Sequence, residues 1–531
     1  MAAGRRRVTC AADILVVGAG PAGLALALQA HDHGAAVRVI DRRPEADRPS
    51  RALILHSRTL EVLRPLGVTQ ALLARADVAP TADLQLGARK IRVTLADLAL
   101  PDTAFPHLSL IRQMDVERVL AEALADRGVQ VERGTELAGV HDEPGGVEVI
   151  LRSSAKAEEA WFGFVAGCDG PASTVRAQAG IGWPGRTYPV EVVLADVELE
   201  IDLSGDAARV VAGPQGLVFA FRLGERATWR LLATRAAGAG QSPPGQFGPP
   251  VSLAELQALV AGAGLDAQIT ELAWSSQVRL QRRVAEVFSR GRLYLAGDAA
   301  HAYSPATGQG MNAGLQDAAN LGWKLAFAAA QPGAGRLLSS YDRERRPVAR
   351  QVMAMTHMAF WAEASLAPVP SLLRGRVAPL AAPLVPAVIG RRRLVAEAVR
   401  LLSQLGVGYR HSPLSVEGTP RRRGGPRAGD RLPDQLVSSA GRTMRLHDML
   451  ARPGVHKLLD RNADPLGALP PSHFVSIHRL TSAPGRGLIA VRPDGYVGVR
   501  GQTVEIGQLA TWLASLSAGT TSGQGQTTAM L

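Results

Sequence analysis

The sequence predicts an α/β fold in several units, and three observations predict it. A glycine-rich turn, GAGPAG, follows a first apolar strand. An Asp-Gly turn, CDG, follows a second. A Gly-Asp turn and a glycine-rich loop then run into a long helix in RLYLAGDAAHAYSPATGQGMNAGLQDAANLGWKLAFAAA. Each segment places a turn of little side-chain bulk, an acid, or both at the end of an apolar run short enough to be a buried strand.

In chain order, ADILVV (12–17) reads as a strand, and Gly18, Gly20, Ala22 and Gly23 lead into the helix LALALQA. A second strand, AVRVID, ends in Asp41, with Arg42 after it. This is the dinucleotide fingerprint in its required context. The glycines permit a tight turn and close approach of a pyrophosphate, and the acid waits for ribose hydroxyls. The stretch from Ser57 carries Leu60, Leu63 and Leu66 at helical spacing, and Gln113 opens a further helix after LIR. FVAGCDGPASTVR is a strand ending in Asp169. From 188 to 290 the pattern becomes alternating strands, with Leu217, Phe219, Phe221 and Leu223 in alternation. Phe219, Phe221 and Trp229 are candidates to line a pocket there, with core packing as the alternative.

The strand at 292–296 ends in Gly297 and Asp298, whose carboxylate can accept hydrogen bonds from sugar hydroxyls. Pro305, Gly308, Gly310, Met311 and Asn312 form a low-bulk loop at a helix N-terminus, which suits backbone N–H groups approaching a ring or an anion. Together these are features for a large, planar, partly anionic cofactor. Residues 339 to 409 read as apolar helices broken by prolines; a membrane or a partner is one alternative covering for them, and packing as a cover on the two cofactor domains is the expectation. Residues 412–428 read as a Pro, Gly and Arg-rich linker, 429–516 as a small α/β unit with a Pro-Asp-Gly turn, and 517–531 as a disordered tail. No internal repeat is evident.

The segments GAGPAG, CDG and GDAAH…P..GQGMN…DA.NL.WKL, in this order and spacing, resemble the group A flavoprotein monooxygenases, aromatic hydroxylases with the p-hydroxybenzoate hydroxylase fold. The resemblance covers roughly Asp13 to Tyr409. It implies a Rossmann-like FAD-binding domain in two parts (12–187 and 291–411, the second including the helical cover), interleaved with a mixed-sheet substrate domain (188–290). It also implies that Arg51 approaches FAD and the nicotinamide cofactor and that Gln113 contacts the flavin side chain. Residues 429–516 resemble the thioredoxin-like C-terminal domain of larger members, such as phenol, polyketide and rifampicin hydroxylases. Having no Cys, this unit is excluded from thiol redox chemistry.

The implied chemistry is reduction of FAD by a transient NAD(P)H, consistent with a single complete dinucleotide fingerprint. Oxygen then adds at flavin C4a, and the hydroperoxide hydroxylates a phenolic or fused-ring, polyketide-like aromatic substrate. Baeyer–Villiger insertion or epoxidation on the same scaffold remains open, as does an FAD-binding protein without turnover. A flavin halogenase is disfavoured, because no WxWxIP segment occurs. The catalytic base is not legible. His56 and His301 lie in the motif-bearing segments and are the candidates for proton transfer, although a lone histidine is more often a structural hydrogen-bonding residue.

Composition narrows the remaining classes. The formal net charge is +12, but 55 of the 59 basic residues are Arg, a compositional habit rather than a nucleic-acid footprint, since no Arg cluster is interleaved with aromatics. Two cysteines, Cys10 and Cys168, form neither a disulfide framework nor a metal spacing, so no metal is expected and a cytoplasmic setting fits. MAAGRRRVTC runs straight into the nucleotide-fold pattern and is expected to be structural rather than a cleaved leader. The expected partners are a small aromatic substrate and O2, with a homodimer allowed and no nucleic acid or membrane.

Overall fold

The computed structural model describes residues 12–516 apart from 47–52, 79, 87–88, 95–97, 99, 202–206, 214–215, 223–225, 238–247, 332, 366, 419–423, 440, 460–473, 481–486 and 502–505. The expected tail at 517–531 lies outside the described residues.

The first sheet is built around Ala12–Val17. This strand pairs in parallel with Val37–Asp41 on one side and with Ala157–Gly167 on the other. Leu293–Leu295 extends it in parallel beyond Ala157–Gly167, and Val131–Arg133 beyond Val37–Asp41. Ile14, Leu15 and Val16 are wholly buried, as expected for a continuous apolar strand covered on both faces. The helices Pro21–Asp32 and Gln309–Ala329 pack together here. Gly322 is the contact point, because a Cβ there would stand 2.7 Å from the Gln29 Cβ and 2.9 Å from the Leu26 carbonyl.

The second sheet is mostly antiparallel and centres on two long strands, Gly185–Ile201 and Ala267–Val284. Its two faces sort by side-chain parity. Val193, Ala195, Val197, Trp229 and Leu231 face the helix Leu253–Ala263, which a Ser252–Glu255 capping box starts. Val190, Val192, Leu194, Leu217 and Phe219 face the other way, toward Phe360 and Ala364 of the long helix Gly335–Ala364. Trp229 therefore sits on the opposite face from Phe219 and lines no common pocket with it. The boundary at 188 also needs correcting. Thr81–Leu86 and Arg89–Thr94, from within the first nucleotide-binding stretch, join this sheet, the former in parallel with Ala208–Gly213. Pairing of two short strands distant in sequence leaves no local pattern to read.

Residues 368–402 form a run of short helices, as the prolines predict, including a π-type turn at Leu373–Val377. The C-terminal unit is a five-stranded mixed sheet. Val455–Leu459 pairs in parallel with Val475–Arg479 and antiparallel with Leu488–Val491, which pairs in turn with Val497–Gly501. The segment expected as a linker contributes its edge strand, Val416–Glu417. The closing helix Ile506–Leu516 lays Trp512 over Gly498.

This unit is joined to the rest through buried charges. Arg492 donates to both carboxylate oxygens of Glu344, at 2.7 and 2.8 Å, and also grips Asp494. Lys324 donates to Glu344 and to Asn320, both at 2.7 Å, and Asn320 donates to Asp494 at 3.0 Å. Nearby, Arg431 binds Glu61 at 2.6 Å and Asp102 at 2.9 Å. Among the described residues no helix is long and apolar enough to cross a membrane.

Candidate cofactor and active site

The three motif segments converge at the carboxyl ends of the parallel strands. Cys168 N–H donates to the Val17 carbonyl at 2.8 Å, and Ala296 N–H to the Gly167 carbonyl at 3.0 Å. Gly18 has φ +105°, and a Cβ there would overlap the Cys168 carbonyl, so only glycine fits. A Cβ on Gly23 would overlap the Gly18 carbonyl oxygen. A Cβ on Gly20, at the helix N-cap, would meet nothing nearer than the Glu117 carboxylate at 4.0 Å, so there is open space beside it. Ala22 reaches the other end of the site, since a Cβ on Gly297 would stand 3.0 Å from the Ala22 Cβ.

Asp41 ends its strand as expected, but it is buried, not an exposed acid. It accepts from Ala19 N–H at 2.8 Å and is clasped by the Arg43 guanidinium at 2.9 and 2.7 Å. Burial raises its pKa, and the bonds from Arg43 more than offset this, so it titrates below the usual carboxylate range. Arg42 is exposed, and Arg43 does the pairing. Alternation along an extended chain puts 41 and 43 on one side, a signal the sequence carried. Gln113 opens its helix and donates to Glu117 at 2.7 Å, which places this pair beside Gly20. Arg51 lies outside the described residues.

Asp169 accepts from the N–H groups of Thr174 and Val175, at 2.6 and 3.3 Å, and so ties its turn to the helix Thr174–Gln178. Its Oδ1 is buried without a hydrogen-bond partner, and burial raises its pKa. Asp298 sits half-buried in the one-turn helix Gly297–Ala299.

The loop from Pro305 to Gly308 is tightly held. Thr307 and Gly308 both take left-handed backbone, at φ +66° and +64°. His56 Nε2 donates to the Thr307 carbonyl at 2.9 Å. The Asn312 amide uses all its capacity on this loop. It accepts from His56 N–H and the Thr59 hydroxyl at 3.0 and 2.7 Å, and donates to the carbonyls of Ile54 and Gly308 at 2.8 and 2.7 Å. A Cβ on Gly310 would meet nothing within 4 Å, and Met311 is half-buried against the core. The helix Gln309–Ala329 thus presents first-turn N–H groups and its dipole rather than the Asn312 side chain.

Both candidate histidines are engaged in holding structure. Burial pushes the His56 pKa down, so its ring stays neutral on the Thr307 carbonyl. His301 is wholly buried, donates to Asp317 at 2.6 Å and stacks on Tyr303. Asp317 also binds Arg345 at 2.7 Å. A contact that no sequence motif marks joins Tyr188 to the long helix: the Tyr188 hydroxyl is 3.2 Å from His357 Nδ1, His357 is partly exposed, and Ser304, one residue before Pro305, donates to the nearby Thr356 carbonyl at 3.0 Å. These residues come from three distant segments.

The donor set fits an FAD-sized ligand. The chain leaves open space beside Gly20 and Gly310, carboxylates stand at Asp41 and Asp298, and Asp169 has an unpartnered oxygen. The family described as FAD binding domain matches residues 11–356. A 6-methylpretetramide 4-monooxygenase from Streptomyces rimosus is 34% identical over 458 residues, covering 85% of this chain and 78% of the relative. The chain belongs to the FAD-dependent aromatic monooxygenases. A rifampicin monooxygenase from Streptomyces venezuelae is 30% identical to this monooxygenase over 518 residues, covering 96% of it and all of the relative. The solved anhydrotetracycline hydroxylase from Streptomyces rimosus superposes with a TM-score of 0.74 at 26% identity, covering 95% and 98% of the two chains.

Proposed function

We propose that this monooxygenase uses NAD(P)H and O2 to hydroxylate a phenolic, fused-ring, polyketide-like aromatic substrate. One observation carries the substrate class: near full-length similarity to enzymes named for pretetramide and rifampicin. The apolar sheet face supports it, with Phe219 and Phe221 stacked at 5.7 Å between centroids. Hydroxylase relatives favour hydroxylation over Baeyer–Villiger insertion.

In this reading the amides from Gly18 to Gly23 hold the pyrophosphate of FAD, with Asp41 on the adenosine ribose and Arg43 orienting it. Asp298 takes the ribityl hydroxyls, Gln113 and Asp169 complete the shell, and the amides from Gly308 to Asn312 face the flavin ring. When bound, FAD would supply the redox chemistry that couples NAD(P)H to O2, with one oxygen atom passing to the substrate and the other leaving as water. The chain's own contribution is to orient the substrate, exclude water and move a proton. The Tyr188–His357 pair is the proposed route for the phenol proton. Burial and the adjacent Arg282 lower the His357 pKa, so Nδ1 is ready to accept a proton near neutrality and pass it to solvent.

The test is oxygen-dependent NAD(P)H oxidation with a panel of phenols and fused-ring polyketides, with products read by mass spectrometry and NMR. Gain of one oxygen as a ring hydroxyl supports the reading. Ring expansion, or turnover confined to simple phenols, contradicts it.

A further inference from the structure

We propose that the helical cover at 368–402 is a docking face for an anionic lipid surface. The cover leaves large apolar side chains in water. Leu380 is 81% exposed, Val369 59%, Leu394 55%, Leu401 53% and Leu372 51%. Such exposure within one segment of a folded chain calls for a covering surface. In the helix Arg392–Leu402, Ala396 and Val399 face inward onto Leu98, Leu100 and Leu405. Leu394, Ala398 and Leu401, at i, i+4 and i+7, lie on the opposite face, so this helix is apolar on both sides. The short helices before it are broken by prolines and expose Val369, Leu372 and Leu380.

Charge selects the occupant. Arg376, Arg391, Arg392 and Arg393 are exposed on this cover, and Glu397 is its one acid. Arg374 and Arg400 turn inward, to the carbonyls of Ala362 and Ser365 and to Asp102. A second copy docked through the same face would bring two arginine triplets together with almost no carboxylate between them. A bilayer bearing negative headgroups matches both the apolar residues and the arginines. No described helix is both long and apolar enough to span, so the cover would lie in the interface. The cover also touches the substrate-side sheet, where Leu373–Val377 meets Ala208–Gly213. Docking would therefore bring that sheet toward the phase in which an apolar fused-ring compound dissolves. The sequence alone left this apolar segment open to a membrane or a partner and favoured packing on the cofactor domains; the exposed leucines and arginines return it to an interfacial face.

The experiment is co-sedimentation of the full-chain holoenzyme with vesicles of phosphatidylglycerol and phosphatidylcholine and with vesicles of phosphatidylcholine alone. Sedimentation velocity without lipid runs in parallel. The test variant is Leu372→Glu with Leu380→Glu. The control is Leu436→Glu with Leu253→Glu, the same charge change at exposed positions on other units, 66% and 39% exposed in the native chain. FAD content reports that each variant is folded. If the first variant is unfolded, Arg391→Gln with Arg393→Gln takes its place. The expected result is binding to the anionic vesicles only, reduced about tenfold or more by the test variant and unchanged by the control. No binding to anionic vesicles overturns the proposal. So does equal loss in test and control, which reduces the effect to net charge, and so does a dimer that only the test variant dissociates, which gives the face to a second copy.

Discussion

The helix Gln309–Ala329 has two ends that meet the protein in opposite ways. At its N-terminus the site is made by missing side chains: a Cβ on Gly310 would meet no protein atom within 4 Å, and Gly308 takes the left-handed turn that leads into the helix, tight against Ile54. Three turns later the same helix presents Asn320 and Lys324 to a buried network of Glu344, Arg492 and Asp494. The cofactor end depends on where nothing is placed. The far end depends on charges that are costly unless every partner is present. Burial raises the pKa of Glu344, but Arg492 and Lys324 more than reverse this and hold it ionised far below the usual carboxylate range. The helix that carries the flavin loop is thus clamped by the C-terminal unit, which gives that unit a structural role without any cysteine.

The strongest way to break this contrast is at the clamp. Arg492→Ala strips Glu344 of its bidentate partner, and removing one member of a buried pair costs about 3–5 kcal/mol. Urea unfolding should show that loss, and a chain ending near Pro413 should lose more, with FAD content falling along with stability. A truncate that binds FAD at full affinity and melts normally would show that the two ends are independent.

At the cofactor end the effects should be on affinity. Asp298→Ala removes a charged hydrogen-bond acceptor, worth about 1.5–3 kcal/mol or roughly ten- to a hundredfold in FAD affinity. Flavin titration checks this, and unchanged affinity removes Asp298 from the site. Gly310→Ala sharpens the comparison, because its Cβ would meet no protein atom within 4 Å. The melting temperature of the apoprotein should hold while FAD affinity falls. At Gly23, where the new Cβ would overlap the Gly18 carbonyl, both should fall.

The smallest expected effect is on pH dependence. Burial raises the Glu61 pKa, but Arg431 outweighs it and brings the group down to about 2, from an ordinary 4.5. A depressed carboxylate contributes stability that is complete above its unfolded pKa and is lost as pH falls toward the folded value. His456, lowered to about 4 by burial, acts in the same direction, because the unfolded chain takes up its proton first, below about 6.5. Stability should therefore decline from about pH 6.5 downward and more steeply below 4.5. Glu61→Gln should flatten the lower part of the curve in acid-melting experiments.

The two ends also differ in how far sequence reveals them. Gly18, Gly23, Asp41 and Gly308 were legible because a turn that admits only glycine, or an acid at a strand end, leaves a local pattern. Arg492 and Glu344 stand 148 positions apart, and neither is marked by its neighbours. The same holds for Tyr188 and His357, and for the strands at 81–94 that join a distant sheet. Arg43 is the instructive intermediate. The sequence reading named Arg42; strand alternation places Arg43 on the side of Asp41 instead, and only the buried Asp41 shows why its charge is needed. His56 and His301 show the converse, since presence in a motif did not distinguish anchoring a loop from moving a proton.

The central claim is that this FAD-binding chain adds one atom of O2 to an aromatic ring as a hydroxyl. The direct measurement is turnover of a fused-ring phenol by FAD-loaded protein and NAD(P)H under isotopically labelled oxygen, with the product analysed by mass spectrometry and NMR. The account predicts a new ring hydroxyl carrying one labelled atom. A product whose added oxygen comes from water, or one formed equally well without oxygen, would contradict it.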